Sequence, residues 1–189
     1  MNARETRRHE RVMGDLDAFT HWFAAPDPSA GARYAALTLF AELPDSAHVA
    51  RDVTAQLLQD SGAAEIVDDA KLAVSELVGN VVNHAVPEPS LSRPGGSRRI
   101  HVTFKIWPKW VFIGVTDEDS TPPVLPLGDS FSPGLMGELA EAVVPDSGRG
   151  LFIVQRLAAA VWCTPEDHGG KTVWCRFDLD SSAGGGPPS

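Results

Sequence analysis

Apolar residues at Val12, Leu16, Phe19 and Phe23 recur every three to four positions, which predicts an amphipathic helix over residues 4–23. Ala24-Ala25-Pro26-Asp27-Pro28 ends it. A strand is expected over 35–43, closed by Pro44. Asp45 or Ser46 is placed to cap a helix that runs to Asp60 and stops at Ser61-Gly62. A second helix is expected over 65–85, ended by Pro87 and Pro89. The period then changes. Ile100, Val102, Phe104 and Ile106 alternate with His101, Thr103, Lys105 and Trp107, the pattern of a strand buried on one face. Pro108-Lys109 turns the chain into 110–115, apolar on both faces and so a central strand. Residues 118–147 are rich in Pro, Gly and Asp, with a short helix near 135–143, and a loop this long in a compact domain suits a functional lid. A helix over 150–160 and strands over 160–164 and 172–179 follow, and the Gly/Pro/Ser tail reads as disordered.

This order predicts an α+β fold, a two-layer α/β sandwich whose mixed, mostly antiparallel sheet carries helices on one face. The division is an N-terminal helical extension over 1–30, one domain over 31–180 and a tail over 181–189. No repeat of solenoid length is present.

Composition narrows the classes. The 189 residues are 43% hydrophobic and 22% charged, an ordinary globular balance. A net charge of -9 repels phosphate backbones and argues against a nucleic-acid partner. No apolar run approaches the roughly 20 residues that cross a bilayer. The basic start, Arg4 to Arg11, leads into Gly14, Asp15 and Asp17 rather than an apolar stretch, so neither a secretory signal nor a membrane partner is expected and the location is cytoplasmic. Cys163 and Cys175 are too few for a disulfide framework; two thiols on adjacent late strands fit a reducing compartment.

Candidate chemistry begins in the second helix of the domain. At ~100° per residue, Asn80 lies roughly 40° from Glu76 and Asn83 roughly 20° from it on the other side. Val74, Leu77, Val78, Val81 and Ala85 take the opposite side. Gly79 and the two asparagines cost about 2 kcal/mol of helix propensity, a poor choice for a merely solvated face. Asn80 offers a neutral oxygen to a hard cation such as Mg²⁺. Glu76, one turn away, can orient or deprotonate an attacking hydroxyl or water. His84 follows one turn after Asn80; a contact with phosphate and a plain surface position at a helix end are both open.

Two further segments bear on the same chemistry. Val115-Thr116-Asp117 ends the central strand, and Asp117 is expected to emerge where the sheet meets solvent, able to accept a hydrogen bond from an adenine amino group. Ser147-Gly148-Arg149-Gly150-Leu151 opens a helix whose amide groups and dipole suit phosphate. Each signal alone is weak, since Asp after a strand and Gly at a helix start are common turn formers. Other chemistries lack support: no P-loop occurs, no His-rich metal spacing, and no acid–His pair beside Ser75 or Ser147. Trp107, Trp110, Trp162 and Trp174 fall on expected strands and read mainly as packing.

With those segments in order, the sequence resembles the GHKL (Bergerat-type) ATPase superfamily and, within it, the anti-sigma-factor serine/threonine kinase group. The stretches are AVSELVGNVVNHA (73–85), GVTDEDSTPPVLP (114–126), DSGRGLFIVQRLA (146–158) and GGKTVWCRFDL (169–179). The resemblance implies ATP and Mg²⁺ as cofactors, Glu76 as catalytic base and Asn80 as the metal ligand. Asp117 would read adenine, with Gly148 and Gly150 at the phosphates; Asn83, His84, Ser147, Arg149 and Leu151 complete the expected nucleotide site. It further implies a homodimer that phosphorylates a serine on an anti-anti-sigma (STAS-type) protein and holds a sigma factor. Three positions depart from the family pattern. Asp119 replaces the glycine of the D-x-G box, Asp146 stands where a basic lid residue is usual (Arg149 is the nearest substitute), and Lys171 replaces a threonine. They keep open an alternative, a binding-only regulator that sequesters its partner. A sensor histidine kinase would need a dimerisation helix bearing a phospho-accepting histidine, for which the segment around His9 offers too little.

Overall fold

The computed structural model describes residues 32–91, 96–127 and 149–179. Its elements are β1 (Arg33–Phe40), α1 (Ser46–Asp60), a 3-10 turn (Ala64–Ile66), α2 (Val67–His84), β2 (Arg99–Ile106), β3 (Trp110–Asp117), α3 (Arg149–Leu157), β4 (Ala160–Pro165) and β5 (Lys171–Asp178). The expected N-terminal helix, the short helix near 135–143, most of the expected lid and the tail lie outside the described residues.

The five strands form one sheet in the order β1-β2-β3-β5-β4, and every neighbouring pair is antiparallel. Alternation decides which face is covered. Leu37, Leu39, Ile100, Val102, Phe104, Val111, Ile113, Val115, Val173, Cys175 and Phe177 are all buried on the side that meets the helices. Helix α2 supplies the matching stripe, with Ala70, Ala73, Val74, Leu77, Val78 and Val81 against the sheet and α1. At ~25 cal/mol per Å² of apolar surface removed from water, this interlocked layer is the main support of the fold.

The ends of the elements correct the sequence reading in places. Neither Asp45 nor Ser46 caps α1 with its side chain. The Ser46 hydroxyl instead donates to the Phe40 carbonyl at 2.6 Å, tying the helix start to the end of β1. Helix α2 ends at His84, and Arg98 donates to the carbonyls of Val82 (3.3 Å) and Ala85 (3.2 Å) while pairing with Glu42 at 3.0 Å. A cation on the last carbonyls complements the helix dipole. β3 runs through Asp117, two residues past the apolar stretch 110–115, and β5 pairs with it along its whole length.

The opposite sheet face carries no helix among the described residues. A row of rings crosses it: Tyr34 meets Trp107 edge-on at 5.9 Å, Trp107 meets Phe112 at 5.2 Å, Phe112 meets Trp162 at 6.0 Å, and Trp162 stacks on Trp174 at 6.2 Å. Trp107 lies in the β2–β3 connection rather than on a strand, closing it through backbone bonds with Trp110. Trp174 lies over Gly114, where a β-carbon would come within 2.7 Å of the ring, and the Lys105 ammonium sits 4.5 Å from the ring centre. Cys163 and Cys175 lie on adjacent strands, as expected, but their cross-strand partners are Val173 and Val161, so the two do not face each other.

Candidate functional site

A cavity of about 310 Å³ opens between α2, the loop after β3, the start of α3 and the near ends of β3 and β5. Leu77, Val81, Val115, Leu151 and Val173 give it apolar walls. Its polar groups sit apart, with Asn80 and His84 along α2 and Asp117, Asp119 and Lys171 at the strand end. Apolar walls with a few convergent polar groups are the usual build of a small-molecule site.

One end is set by helix packing. α3 crosses α2 at Gly150, whose α-carbon lies so close that an added β-carbon would stand 2.7 Å from Glu76 Oε2 and 3.4 Å from Asn80 Oδ1. The absence of a side chain at Gly150 is what lets the start of α3 reach the carboxylate and carboxamide of α2. The Asn80 Nδ2 is buried with no hydrogen-bond partner among the described residues. A buried amide left unmatched costs about 1–3 kcal/mol, a cost expected where a ligand completes the set. Asn83 is exposed and outside the cavity wall; His84 is exposed but borders it. Arg149 is exposed at the start of α3, and Leu151 lines the cavity. Ser147 and Gly148 lie outside the described residues.

The other end differs from the sequence reading. Asp117 does not emerge into solvent; it is 5% exposed. Because β3 continues to this residue opposite Lys171, its carboxylate is covered by the loop that follows. Lys171 Nζ donates to Asp117 Oδ1 at 2.9 Å and to the Asp119 carbonyl at 2.7 Å. Burial pushes the Asp117 carboxyl above the usual carboxylate range, against the pull of Lys171 and of the Asp119 N–H. Asp119, the departure at the glycine position, has a structural role. Its carboxylate accepts from the N–H groups of Thr121 (2.9 Å) and Val86 (3.2 Å), fastening the loop to the end of α2. Partial burial works to raise its pKa, but those N–H groups hold it below the usual range.

Gly170 closes this end. Its φ is +89°, and a β-carbon there would fall 2.2 Å from the Asp117 carbonyl oxygen. The Thr172 hydroxyl cannot stand in for the missing threonine, because it lies on the far sheet face bonded to Thr116 at 2.6 Å. The Lys171–Asp117–Asp119 cluster was not foreseen as a site. The sequence marks Asp117 as a site residue and Asp119 and Lys171 as departures, but only the strand register joins the three.

The sequence model of the histidine kinase-like ATPase domain matches residues 40–177, more than half of the chain. The chain belongs to that family. No curated protein matches it. The match takes in α2, β3, α3 and β5, the elements that build the cavity. An ATPase domain needs a nucleotide site, and the cavity has the build of one. Apolar walls suit a purine, the unmatched Asn80 amide lies beside the start of α3, and Asp117 stands at the far end. A cation fits only in part. No cluster of three or more His, Cys, Asp or Glu side chains occurs among the described residues, so Asn80 would share the ion with phosphate oxygens and water. Among the described residues no helix is long and apolar enough to cross a membrane.

Proposed function

We propose that this ATPase domain is a protein serine/threonine kinase that phosphorylates an anti-anti-sigma (STAS-type) partner and thereby controls the availability of a sigma factor, acting as a homodimer. The observation that carries the reading is the contact of Gly150 with both Glu76 and Asn80, which gathers a base, a carboxamide oxygen and a helix start at one point. ATP with Mg²⁺ supplies the phosphoryl group and neutralises its charge. The residues of the chain do the rest. Asn80 would hold the cation, the α3 start would face the phosphates, and Glu76 would take the proton from the partner's serine hydroxyl. The choice of partner rests on the resemblance of residues 73–85, 114–126, 146–158 and 169–179 to the anti-sigma-factor kinase group.

A second reading has its own support. Lys171 already engages the carboxylate expected to read the base, which favours a regulator that holds its partner without transferring phosphate. Incubation with γ-labelled ATP and a purified STAS-type protein separates the two. Kinase action gives label on a partner serine, reduced by a hundredfold or more in Glu76→Gln at nearly unchanged ATP affinity. ATP binding and partner binding with no label in the parent would support the second reading and overturn the first.

A further inference from the structure

Lys171 is only 7% exposed, an uncommon state for an ammonium, which is almost never so buried without partners. It has three protons to donate. Two are used, on Asp117 Oδ1 at 2.9 Å and the Asp119 carbonyl at 2.7 Å. The Asp119 carboxylate is 3.6 Å away, too far for a hydrogen bond, and is itself satisfied by Thr121 and Val86. Asp117 is likewise half used. Its Oδ1 accepts both Lys171 and the Asp119 N–H at 2.8 Å, while Oδ2 accepts no hydrogen bond among the described residues. Both side chains border the cavity. The strand end therefore offers a free acceptor beside a free donor, held in register by the pairing of Asp117 with Lys171 across β3 and β5.

Charge neutralisation alone is a weak reason for this lysine. A buried ion pair is often no more stable than well-packed apolar residues of similar volume in its place. An acceptor beside a donor has a specific complement: a ring edge with an amino group next to an unprotonated nitrogen. We propose that Lys171 is a base-reading residue, donating to N1 of a 6-aminopurine whose amino group donates to Asp117. The inference rests on the cavity being the ATP site. A 6-oxopurine in the same pose sets its oxygen against the carboxylate and its N1–H against the ammonium, so it is rejected. A site whose polar groups are left unpaired discriminates far better than a difference in shape does.

The test is calorimetric binding of ATP, 1-deaza-ATP (C–H in place of N1) and ITP to the full chain and to Lys171→Met. In the parent, loss of N1 weakens binding tenfold or more, the scale of a hydrogen bond to a charged group, and ITP binds more weakly still. In Lys171→Met, ATP falls to the level of 1-deaza-ATP, and the two agree within about twofold. Should that variant fail to fold with Asp117 unpaired, Asp117→Asn/Lys171→Met removes both charges and must show the same convergence. A parent that binds ATP and 1-deaza-ATP equally overturns the inference and leaves the ATP site standing. So does a variant, single or double, that keeps the parent's preference. A folded parent that binds none of the three overturns both.

Discussion

The backbone of Gly150 rests on the carboxylate of Glu76, with no room between them for a methyl group. The atom in the way is the far end of a flexible side chain, so an added methyl would turn Glu76 aside rather than push the helices apart. Gly150→Ala should therefore keep or slightly raise stability, since alanine is favoured in a helix by up to ~1 kcal/mol. Phosphoryl transfer or ATP hydrolysis should nonetheless fall at least tenfold, because Glu76, the proposed base, is displaced. Thermal melting and activity measured on the same preparation check this. A parallel loss of both would mean that Gly150 serves only packing.

Much of this end of the site was legible in the sequence because it is local. Glu76 and Asn80 share one helix, and the period of that helix alone puts them on one side. The same reasoning misplaced Asn83. The cavity faces the side of α2 that carries Leu77, Asn80, Val81 and His84, and Asn83 lies roughly 60° beyond Asn80 on the other side, in solvent. Asp117 and Lys171, 54 residues apart, could not be joined without the register that sets β5 against β3. Alternation foretold the strands and the covered face but not the order β1-β2-β3-β5-β4, because alternation says which face a strand buries and nothing about its neighbours. The side-chain capping expected at Asp45 or Ser46 failed for a similar reason: the nearby Phe40 carbonyl, brought there by the tertiary fold, takes the Ser46 hydroxyl.

Two glycines away from the helix contact should be costly to replace, and in a definite order. Gly114→Ala would drive a methyl into the Trp174 ring at 2.7–2.9 Å, which the half-buried ring can relieve only by shifting against Trp162. An overpacking cost of about 1–3 kcal/mol is expected. Gly170→Ala meets backbone, the Asp117 carbonyl at 2.2 Å, at a φ of +89°, and should cost more. Urea unfolding at unchanged slope gives both values. The reverse order would contradict the account of the strand end.

Cys175 is fully buried, and burial pushes its thiol up to about 12, with the Ile113 carbonyl as its hydrogen-bond partner. The thiolate is the reactive form, so at pH 8 the folded protein should leave Cys175 unmodified by iodoacetamide. No more than one equivalent should enter the native chain, and two should enter in denaturant. Mass mapping that finds the native-state label on Cys175 would show that the sheet opens around the middle of β5.

The central claim is that the cavity binds ATP through a cation held on Asn80. Calorimetric titration of ATP into the parent and into Asn80→Ala, each with Mg²⁺ and with chelator, tests it most directly. The expected result is one-site binding by the parent that weakens at least tenfold when Mg²⁺ is removed. Asn80→Ala, with its fold verified by melting, should bind as weakly as the chelated parent whether or not the cation is present. ATP binding that ignores Mg²⁺, or a Mg²⁺ dependence that survives the loss of Asn80, would contradict the account.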